Sequence, residues 1–379
     1  MTLKAYLQKK GAEYAPFDQK RFKDFYITHL SKEANFPRVV QIVGTNGKGS
    51  TGRFLAEILR SSGLKVGHFT SPHIFSYTER FWIDGADAAE DELEVAFQSL
   101  VTRFADVLEP LSYFEILTLL GYAFFKESVD ILVLEAGVGG EKDSTTAFKK
   151  ELLLVTSIDV DHQDLLGETK DEITKTKLKA ANCDTIVGFQ NDPIVIDTIK
   201  KEFVDLPIRF LNEILSAEDR EKIFDFATWR RMPSYLAENL SLAYMGAKAL
   251  GVGDVELDSI SVIKGRFEKV AHNIVVDVGH NAAAANRIAG ELYDKKVVLI
   301  FNCFHDKNPE LSLQALKNSV TRVEILNVEN ERIIKKETLI NILEKNSIPY
   351  SDFIKTNSDE EYLVFGSFSV VAEFLGRMS

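Results

Sequence analysis

The chain has 379 residues, of which 45% are hydrophobic and 27% charged, and its formal net charge is −12 at pH 7. This length predicts two domains, and the composition is ordinary for a globular protein. The negative charge argues against binding to nucleic acid or to an anionic membrane, because both require a basic surface. Cys183 and Cys303 are too far apart in sequence for a disulfide framework or a metal-binding CxxC motif. The sequence shows no apolar leader or membrane-length segment, so we expect a cytoplasmic monomer that acts on small molecules.

The N-terminal third contains a strand, a glycine-rich turn and an amphipathic helix in succession. Residues 1–36 are polar with scattered aromatic side chains, among them Tyr14 and Phe17, and predict a helical cap. Residues 39–43 contain four β-branched side chains, which is typical of a strand buried on both faces. The turn GTNGKGS follows at 44–50, and apolar residues then recur at helical spacing.

The turn has the chemistry of a phosphate-binding loop. Glycines allow successive backbone N–H groups to converge on a phosphate, and the start of a helix adds partial positive charge. Lys48 would reach the outer phosphates, and Ser50 would contact Mg²⁺ or a phosphate oxygen. The fit to G-x-x-x-x-G-K-[ST] is imperfect, because Ile42 replaces the first glycine and Gly49 separates the lysine from the hydroxyl. A plain glycine-rich turn is the alternative. The predicted ATP contacts in the turn are Asn46, Gly47, Lys48, Gly49 and Ser50.

This turn, with TSPH at 70–73 and ER at 79–80, resembles the ATP-dependent Mur-ligase superfamily, in particular folylpolyglutamate synthase and dihydrofolate synthase. The resemblance extends from about residue 37 to the C-terminus. It implies an α/β fold with a large P-loop-type domain, built on a mostly parallel sheet, over residues 1–265. It also implies a smaller, Rossmann-like glutamate-ligase domain over residues 266–379, with ATP and Mg²⁺ as cofactors.

Three further predicted strands end in residues suited to metal binding. Ser71 follows the strand 64–69, Glu135 ends the strand 129–134, and His162 follows the strand 152–158. In an open parallel sheet ligands collect at the carboxyl ends of strands. Carboxylate oxygens suit Mg²⁺, and a neutral imidazole can bind a metal. The alternatives are a plain Ser-Pro turn and a surface histidine. By resemblance, the metal ligands are Ser50, Ser71, Glu135 and His162.

Lys177, in a predicted helix over 170–181, occupies the position of a carbamylated lysine in the family. The resemblance therefore implies a catalytic role for Lys177, together with Lys48 and His162. A carbamate would replace a cation by an anion that can orient a metal or a phosphate. The alternative is a solvated basic helix face, because other lysines surround this position. Glu141 replaces an arginine of the family, and the role of that arginine stays open.

The C-terminal part restarts a strand-helix pattern, with strands predicted at 273–276, 297–301, 323–326 and 363–365. Before it, Asn239 matches a nucleotide-contacting helix of the family, in which Tyr235 replaces a histidine. Arg266 lies in a GRFE motif whose arginine reaches the ATP phosphates. The resemblance implies that Asp277 contacts ATP and glutamate. The other predicted glutamate ligands are His280 and Ser367.

The leading hypothesis is a ligase that uses ATP to join L-glutamate to dihydropteroate or to a folate through an acyl phosphate. Phe114 would stack on the pterin ring, and Asp164 would pair with its amino-pyrimidine edge. For Phe114 the alternative is a core position on a helix face. Three other functions stay open: folylpolyglutamate synthesis alone, a Mur-type UDP-sugar peptide ligase, and a binding protein that uses ATP as a switch. The turn GKGS and the motifs TSPH and ER disfavour the Mur-type ligase, as does the lack of a UDP-sugar domain before residue 37.

Overall fold

The computed structural model describes residues 1–11, 18, 20–33 and 36–378. Tyr14 and Phe17 of the predicted N-terminal cap lie outside the described residues. The chain divides into two compact units, one formed by Met1–Met232 and Leu236–Ile260, the other by Pro233–Tyr235 and Ser261–Ser379. In the described part of the chain, no helix combines the length and the apolar character that crossing a bilayer requires.

The first unit contains most of the helices. Its helices are α1 (Leu3–Lys10), α2 (Arg21–His29), α3 (Lys48–Ser61), α4 (Glu90–Leu108), α5 (Tyr113–Phe125), α6 (Gln163–Leu166), α7 (Lys170–Leu178), α8 (Pro193–Glu202), α9 (Leu211–Ile214) and α10 (Ala217–Trp229). Helix α11 (Ser234–Ala249) begins within the segment assigned to the second unit. Short 3₁₀ helices lie at Tyr77–Arg80 and Ser144–Ala147.

The strands of the first unit form an eight-stranded sheet in the order β4-β3-β2-β5-β1-β6-β7-β8. Strands β2 to β4 pair antiparallel at one edge, and the other pairs are parallel. The strands are β1 (Arg38–Val43), β2 (Val66–Phe69), β3 (Phe81–Ile83), β4 (Ala86–Asp87), β5 (Ile131–Glu135), β6 (Leu152–Val155), β7 (Asp184–Val187) and β8 (Ile208–Phe210).

Strand β1 lies at the centre of this sheet, and its position fixes where the site residues meet. Ile42 lies opposite Glu135 on β5 and opposite Leu154 on β6. The five residues Val39–Val43 are buried, as expected for a strand covered on both faces. Phe22 and Phe25 of α2 belong to a core cluster with α4 and α5, so the N-terminal helices are part of the core.

The second unit is built on a six-stranded sheet in the order β13-β12-β11-β14-β10-β9, in which only the β9–β10 pair is antiparallel. Its strands are β9 (Glu268–Ala271), β10 (Ile274–Asp277), β11 (Val297–Phe301), β12 (Val320–Ile325), β13 (Tyr350–Asp352) and β14 (Tyr362–Phe365). Its helices are α12 (Ala282–Glu291), α13 (Pro309–Leu316), α14 (Lys336–Lys345) and α15 (Phe368–Met378), with a 3₁₀ helix at Lys317–Ser319. The predicted fold class, two α/β units with mostly parallel sheets, is confirmed.

Candidate active site

The glycine-rich turn joins the end of β1 to the start of α3, as the sequence predicts. Gly44 has φ +149° and Gly47 has φ +89°, conformations that side chains disfavour. A Cβ on Gly44 would lie 1.9 Å from Oγ1 of Thr156, and a Cβ on Gly47 would lie 2.4 Å from Oδ1 of Asn239. The turn therefore requires glycine at both positions, and the predicted nucleotide contact Asn239 packs against it.

Hydrogen bonds tie the turn to the segment that follows β6. The N–H groups of Thr45 and Asn46 donate to the Ser157 carbonyl at 2.9 and 3.3 Å. The Thr45 hydroxyl donates to the Asp159 carbonyl at 2.9 Å and accepts from the Asp159 N–H at 3.0 Å. The turn is thus held by the segment that leads to His162. Ser50 is buried in the first turn of α3, beside Gly49.

Two lysine amines converge on one carbonyl oxygen of the turn. The Lys48 ammonium donates to the Gly44 carbonyl at 3.3 Å and to the Thr45 carbonyl at 3.2 Å. The Lys177 amine, from α7, donates to the same Gly44 oxygen at 2.8 Å. Lys177 is buried, whereas Lys175 on the same helix is partly exposed in an ion pair with Asp171. The alternative of a solvated basic face therefore does not describe Lys177.

Burial lowers the pKa of Lys177 to about 7, and the positive charge of Lys48 adds to this effect. The carboxylates of Asp161 and Asp143 oppose it. A lysine with this pKa is partly neutral at pH 7, whereas a lysine in solvent is fully charged at that pH. The turn thus contacts the Lys177 amine, which changes charge near neutral pH, and Lys48 lies beside it.

Glu135 and Ser71 meet at the carboxyl ends of β5 and β2. Glu135 is buried, and its Oε2 accepts hydrogen bonds from the Thr70 hydroxyl and, at 3.1 Å, from the Ser71 N–H. The Ser71–Pro72 peptide bond is cis. Because Ile42 pairs with Glu135, this carboxylate lies one strand from the phosphate turn. The structure therefore brings Ser71 and Glu135 together at the carboxyl ends of the strands, where the turn also lies.

His162 lies at the N-terminal cap of α6 in a left-handed conformation, with φ 51° and ψ 44°. Its N–H donates to Oδ1 of Asp161 at 2.9 Å. Such a conformation costs energy for a residue other than glycine, and it is found preferentially at functional sites. Asp164, within α6, is exposed.

Among the residues that the structure describes, no group of three or more His, Cys, Asp or Glu side chains is arranged to hold a metal ion. Of the four predicted Mg²⁺ ligands, only Glu135 and His162 belong to these residue types. The other two are the hydroxyls of Ser50 and Ser71. Mg²⁺ commonly takes few protein ligands and fills its remaining positions with water and phosphate oxygens. The oxygen-rich donor set therefore fits Mg²⁺ bound together with a nucleotide.

Phe114 is half-buried near the start of α5. Its ring lies 5.9 Å from the Phe69 ring, and a Cβ on Gly137 would lie 2.8 Å from its Cζ. One part of Phe114 thus contributes to the core, as the alternative for this residue states. The other part is accessible beside the loop that follows β5.

Three charged side chains that shape these loops were not assigned a role from sequence. Glu79 accepts hydrogen bonds from the backbone N–H groups of 74–76 at 2.8 to 2.9 Å. Arg80 is fully buried, and its Nε donates to Nδ1 of His73 at 2.9 Å. Asp143 is buried and accepts from the N–H groups of Val138 and Thr145 at 3.0 and 2.9 Å. Glu79 and Asp143 therefore fix loop backbone, and Arg80 holds the His73 side chain.

In the second unit, Asp277 ends β10 and is buried. Its Oδ2 accepts from the Tyr235 hydroxyl at 2.7 Å and from the Phe267 N–H at 2.9 Å, and its Oδ1 accepts from the Gly279 N–H at 2.7 Å. Burial raises the pKa of Asp277, while Arg266 and these hydrogen bonds oppose the shift. The Arg266 guanidinium lies over the Phe368 ring, 4.9 Å from its centroid.

His280 and Ser367 follow neighbouring parallel strands. Asp277 on β10 lies opposite Phe365 on β14, and the Gly366 N–H donates to the Gly279 carbonyl at 3.1 Å. Ser367 is buried, and its hydroxyl accepts from the Val370 N–H at 3.2 Å at the start of α15. The predicted glutamate ligands are thus brought to one edge of the second sheet, and Ser367 also caps a helix.

The chain is similar to curated and structurally characterised proteins over most of its length, although no protein-family model matches it. It is 30% identical to the dihydrofolate synthase/folylpolyglutamate synthase of Escherichia coli strain K12, over 89% of this chain and 86% of that protein. It is 36% identical to the crystal structure of Helicobacter pylori folylpolyglutamate synthetase, with a TM-score of 0.77 and coverage of 99% and 97%.

A third similarity concerns the fold alone. A bifunctional folylpolyglutamate synthase/dihydrofolate synthase, solved with Mn, AMPPNP and L-glutamate bound, is 23% identical, with a TM-score of 0.79 and coverage of 100% and 98%. The resemblance drawn from the turn, TSPH and ER is confirmed by these similarities. The chain belongs to the dihydrofolate synthase/folylpolyglutamate synthase family.

Proposed function

We propose that this protein uses ATP to join the amino group of L-glutamate to the carboxylate of dihydropteroate, which forms dihydrofolate, and that it extends folates with further glutamates. The observation that carries the proposal is the convergence of Lys48 and Lys177 on the Gly44 carbonyl at the start of α3. The Lys48 ammonium beside a helix N-terminus suits a polyphosphate, and the Lys177 amine next to it is partly neutral at pH 7. The name of the Escherichia coli relative supports the choice of substrates. A cytoplasmic, monomeric enzyme remains part of this proposal.

The residues of the first unit fit a bound MgATP. Lys48 and the N–H groups of the turn would hold the outer phosphates, with Asn46, Gly47, Gly49 and Asn239 around them. The ligands of Mg²⁺ would be Ser50, Ser71, Glu135 and His162, and the bound ion would withdraw negative charge from the transferred phosphoryl group. The hydrogen bonds of Glu135 to Thr70 and Ser71 orient its carboxylate. The relative solved with Mn and AMPPNP supports these cofactors.

The chemistry proposed is the formation and aminolysis of an acyl phosphate. The acceptor carboxylate attacks the γ-phosphorus and ADP leaves. The neutral amine of glutamate then attacks the acyl carbon and forms the amide C–N bond, and phosphate leaves with the proton that the amine releases. The first step brings a carboxylate toward a polyphosphate of the same sign, so fixed positive groups at Lys48 and Arg266 would supply most of the rate enhancement. A neutral amine is the form that reacts with CO₂, so the lowered pKa of Lys177 supports its predicted carbamylation.

The remaining predicted ligands are assigned by substrate. Asp277, His280 and Ser367 would bind glutamate, because a small amino acid needs charged and polar partners at a strand edge. Asp277 would also contact ATP, as predicted. Phe114 and Asp164 would bind the pterin, since Phe114 keeps part of its ring accessible and Asp164 is exposed.

The test is an assay of one preparation with ATP, labelled L-glutamate and either dihydropteroate or tetrahydrofolate. We expect product from dihydropteroate and, in addition, extension of tetrahydrofolate. Omitting the acceptor is the control, because an ATP-dependent switch protein would hydrolyse ATP without it. Absence of product with both acceptors would overturn the proposal.

A second candidate is folylpolyglutamate synthesis alone. The Helicobacter pylori structure, at 36% identity, is named only as a folylpolyglutamate synthetase. In that case the same assay would give extension of tetrahydrofolate and no product from dihydropteroate.

A further inference from the structure

The start of α11 is anchored in the second unit through a tyrosine whose position the family resemblance assigns to histidine. The Tyr235 hydroxyl donates to Oδ2 of Asp277 at 2.7 Å, and the Ser234 N–H donates to Oε1 of Glu291 at 2.8 Å. Asp277 is only 4% exposed. A buried carboxylate requires such donors, so the Tyr235 hydroxyl is part of what keeps Asp277 in place.

The same carboxylate fixes the turn that carries Arg266. Phe267 has φ 47°, a left-handed conformation that is strained for a bulky residue. Its N–H donates to Oδ2 of Asp277 at 2.9 Å, the oxygen that also accepts from Tyr235. Strained backbone persists only where its surroundings hold it. Asp277 therefore joins the first turn of α11, the end of β10 and the Arg266 turn.

Other contacts complete the position of Arg266. The Val278 N–H donates to the Gly265 carbonyl at 2.9 Å, and the Gly265 N–H donates to Oε2 of Glu268 at 2.7 Å. The guanidinium then lies over the Phe368 ring at 4.9 Å. The backbone of the turn is thus tied on both sides of Arg266, and Asp277 supplies the contact on the C-terminal side.

We propose that Tyr235 is a positioning residue for Arg266, acts through Asp277, and thereby sets the affinity for the phosphates of ATP. This inference rests on the proposed function, in which Arg266 binds those phosphates. Tyr235 does not touch substrate in this scheme. Loss of its hydroxyl would loosen the carboxylate that holds Phe267, and Arg266 would lose its fixed direction.

The test compares Tyr235→Phe with Tyr362→Phe. Tyr362 lies at the opposite end of β14, and its hydroxyl also donates to a carboxylate, Glu360, at 2.9 Å. In Tyr235→Phe we expect the KM for ATP to rise about tenfold, the factor that corresponds to about 1.4 kcal/mol. The KM for L-glutamate should rise less than the KM for ATP, because Asp277, a proposed glutamate ligand, keeps its hydrogen bonds from the Phe267 and Gly279 N–H groups. Tyr362→Phe should leave both KM values unchanged, although its melting temperature should fall about as much as that of Tyr235→Phe.

Titration with AMPPNP measures the same effect without turnover. The dissociation constant of Tyr235→Phe should exceed that of the wild-type protein by about the same tenfold factor. An unchanged dissociation constant would overturn the inference, and so would a KM for L-glutamate that rises as much as the KM for ATP, because Tyr235 would then support the glutamate site and not Arg266 in particular. A wild-type protein that binds AMPPNP but ligates nothing would instead refute the proposed function, and the ratio of dissociation constants would still decide the role of Tyr235.

Discussion

Lys48 and Lys177 were both predicted from the sequence, but for Lys177 the alternative of a solvated basic helix face is removed only by the structure. Lys48 follows a strand and a glycine turn, a pattern that predicts a phosphate contact by itself. Lys177 lies among other lysines on a helix, and only its burial distinguishes it from Lys175. Sequence spacing does not reveal which face of a short helix packs against a turn that precedes it by more than a hundred residues.

We predict that Lys48→Ala lowers the rate of ligation at least about a hundredfold, the usual effect of removing one group that stabilises transition-state charge. Stability should change little, because Lys48 contributes no core volume. Steady-state kinetics at saturating ATP and a melting curve measure the two quantities. Lys65→Ala, an exposed position after α3, is the control and should behave as the wild-type protein. Near wild-type turnover in Lys48→Ala would remove the lysine from the phosphate site.

The titration of Lys177 should make stability depend on pH. Its pKa is about 7 in the folded protein and near the model-peptide value of 10.5 when unfolded, so between these values the unfolded chain binds more protons. The free energy of unfolding therefore rises with pH in this window and stops changing below pH 7.

Relative to Lys177→Met, the wild-type protein should gain at most about 1.4 kcal/mol per pH unit between pH 7 and 9. Denaturant unfolding in CO₂-free buffer at both pH values measures this difference. Lys175→Met is the matched control, because ion pairing raises the pKa of Lys175 and it does not titrate in this range. If the stability difference between the wild-type protein and Lys177→Met is the same at both pH values, the amine is charged in the folded protein.

At the scale of elements, buried central strands were predicted well and edge elements were not. The strand at 297–301 was predicted with its observed bounds, because a continuous apolar run marks a strand covered on both faces. The strand predicted over 152–158 ends at Val155, since the following residues bond to the phosphate turn instead. The short strands β3, β4, β9 and β13, which lie at a sheet edge or next to it, were not predicted. They owe their conformation to a neighbouring strand and carry too few residues for a periodic pattern.

Two substitutions at opposite ends of α3 separate backbone strain from steric contact. Gly44, before the helix, would place a Cβ 1.9 Å from Oγ1 of Thr156, whereas Gly63, after it, has φ +91° and nothing within 4 Å. Gly63→Ala should therefore cost only strain, about 1 kcal/mol. Gly44→Ala should lower the free energy of unfolding by at least about 2 kcal/mol more, and weaken AMPPNP binding, because the turn must shift. If urea unfolding shows the same loss of stability for Gly44→Ala and Gly63→Ala, the Thr156 side chain moves aside at no cost in free energy.

At the scale of the whole molecule, the residues predicted to bind phosphate and those predicted to bind glutamate lie at the carboxyl ends of parallel strands, one set in each compact unit. The first set includes Lys48 and Glu135, and the second includes His280 and Ser367. Parallel sheets place ligand sites at the carboxyl ends of their strands, which is why strand ends pointed to Ser71, Glu135 and His162, whereas the second set was implied by the family resemblance. The bonds of Asp277 to Tyr235 and Phe267 could not be predicted, because Tyr235 lies 42 residues from Asp277 and the Phe267 bond depends on a left-handed backbone conformation at a residue that rarely adopts it.

This division predicts that His280→Ala acts on one substrate only. The KM for L-glutamate should rise about tenfold or more, as expected when one partner of a charged ligand is lost, and the KM for ATP should change less than about twofold. Steady-state kinetics with each substrate varied in turn provide the measurement. His272→Ala, an exposed histidine of the same unit, is the control. Equal changes in both KM values would contradict the separate assignment of glutamate to the second unit.

Because both lysines donate to the Gly44 carbonyl, nucleotide binding is also coupled to the pH of the solution. Without a polyanion, Lys48 discourages the protonation of Lys177, since both amines donate to the Gly44 carbonyl. A triphosphate beside them would reverse this bias and draw a proton onto Lys177. By reciprocity, the proton and the nucleotide then strengthen each other's binding, so a free Lys177 amine would make nucleotide affinity fall as the solution becomes alkaline above pH 7. A carbamate on the same nitrogen would abolish this dependence, because it removes the site that takes up the proton.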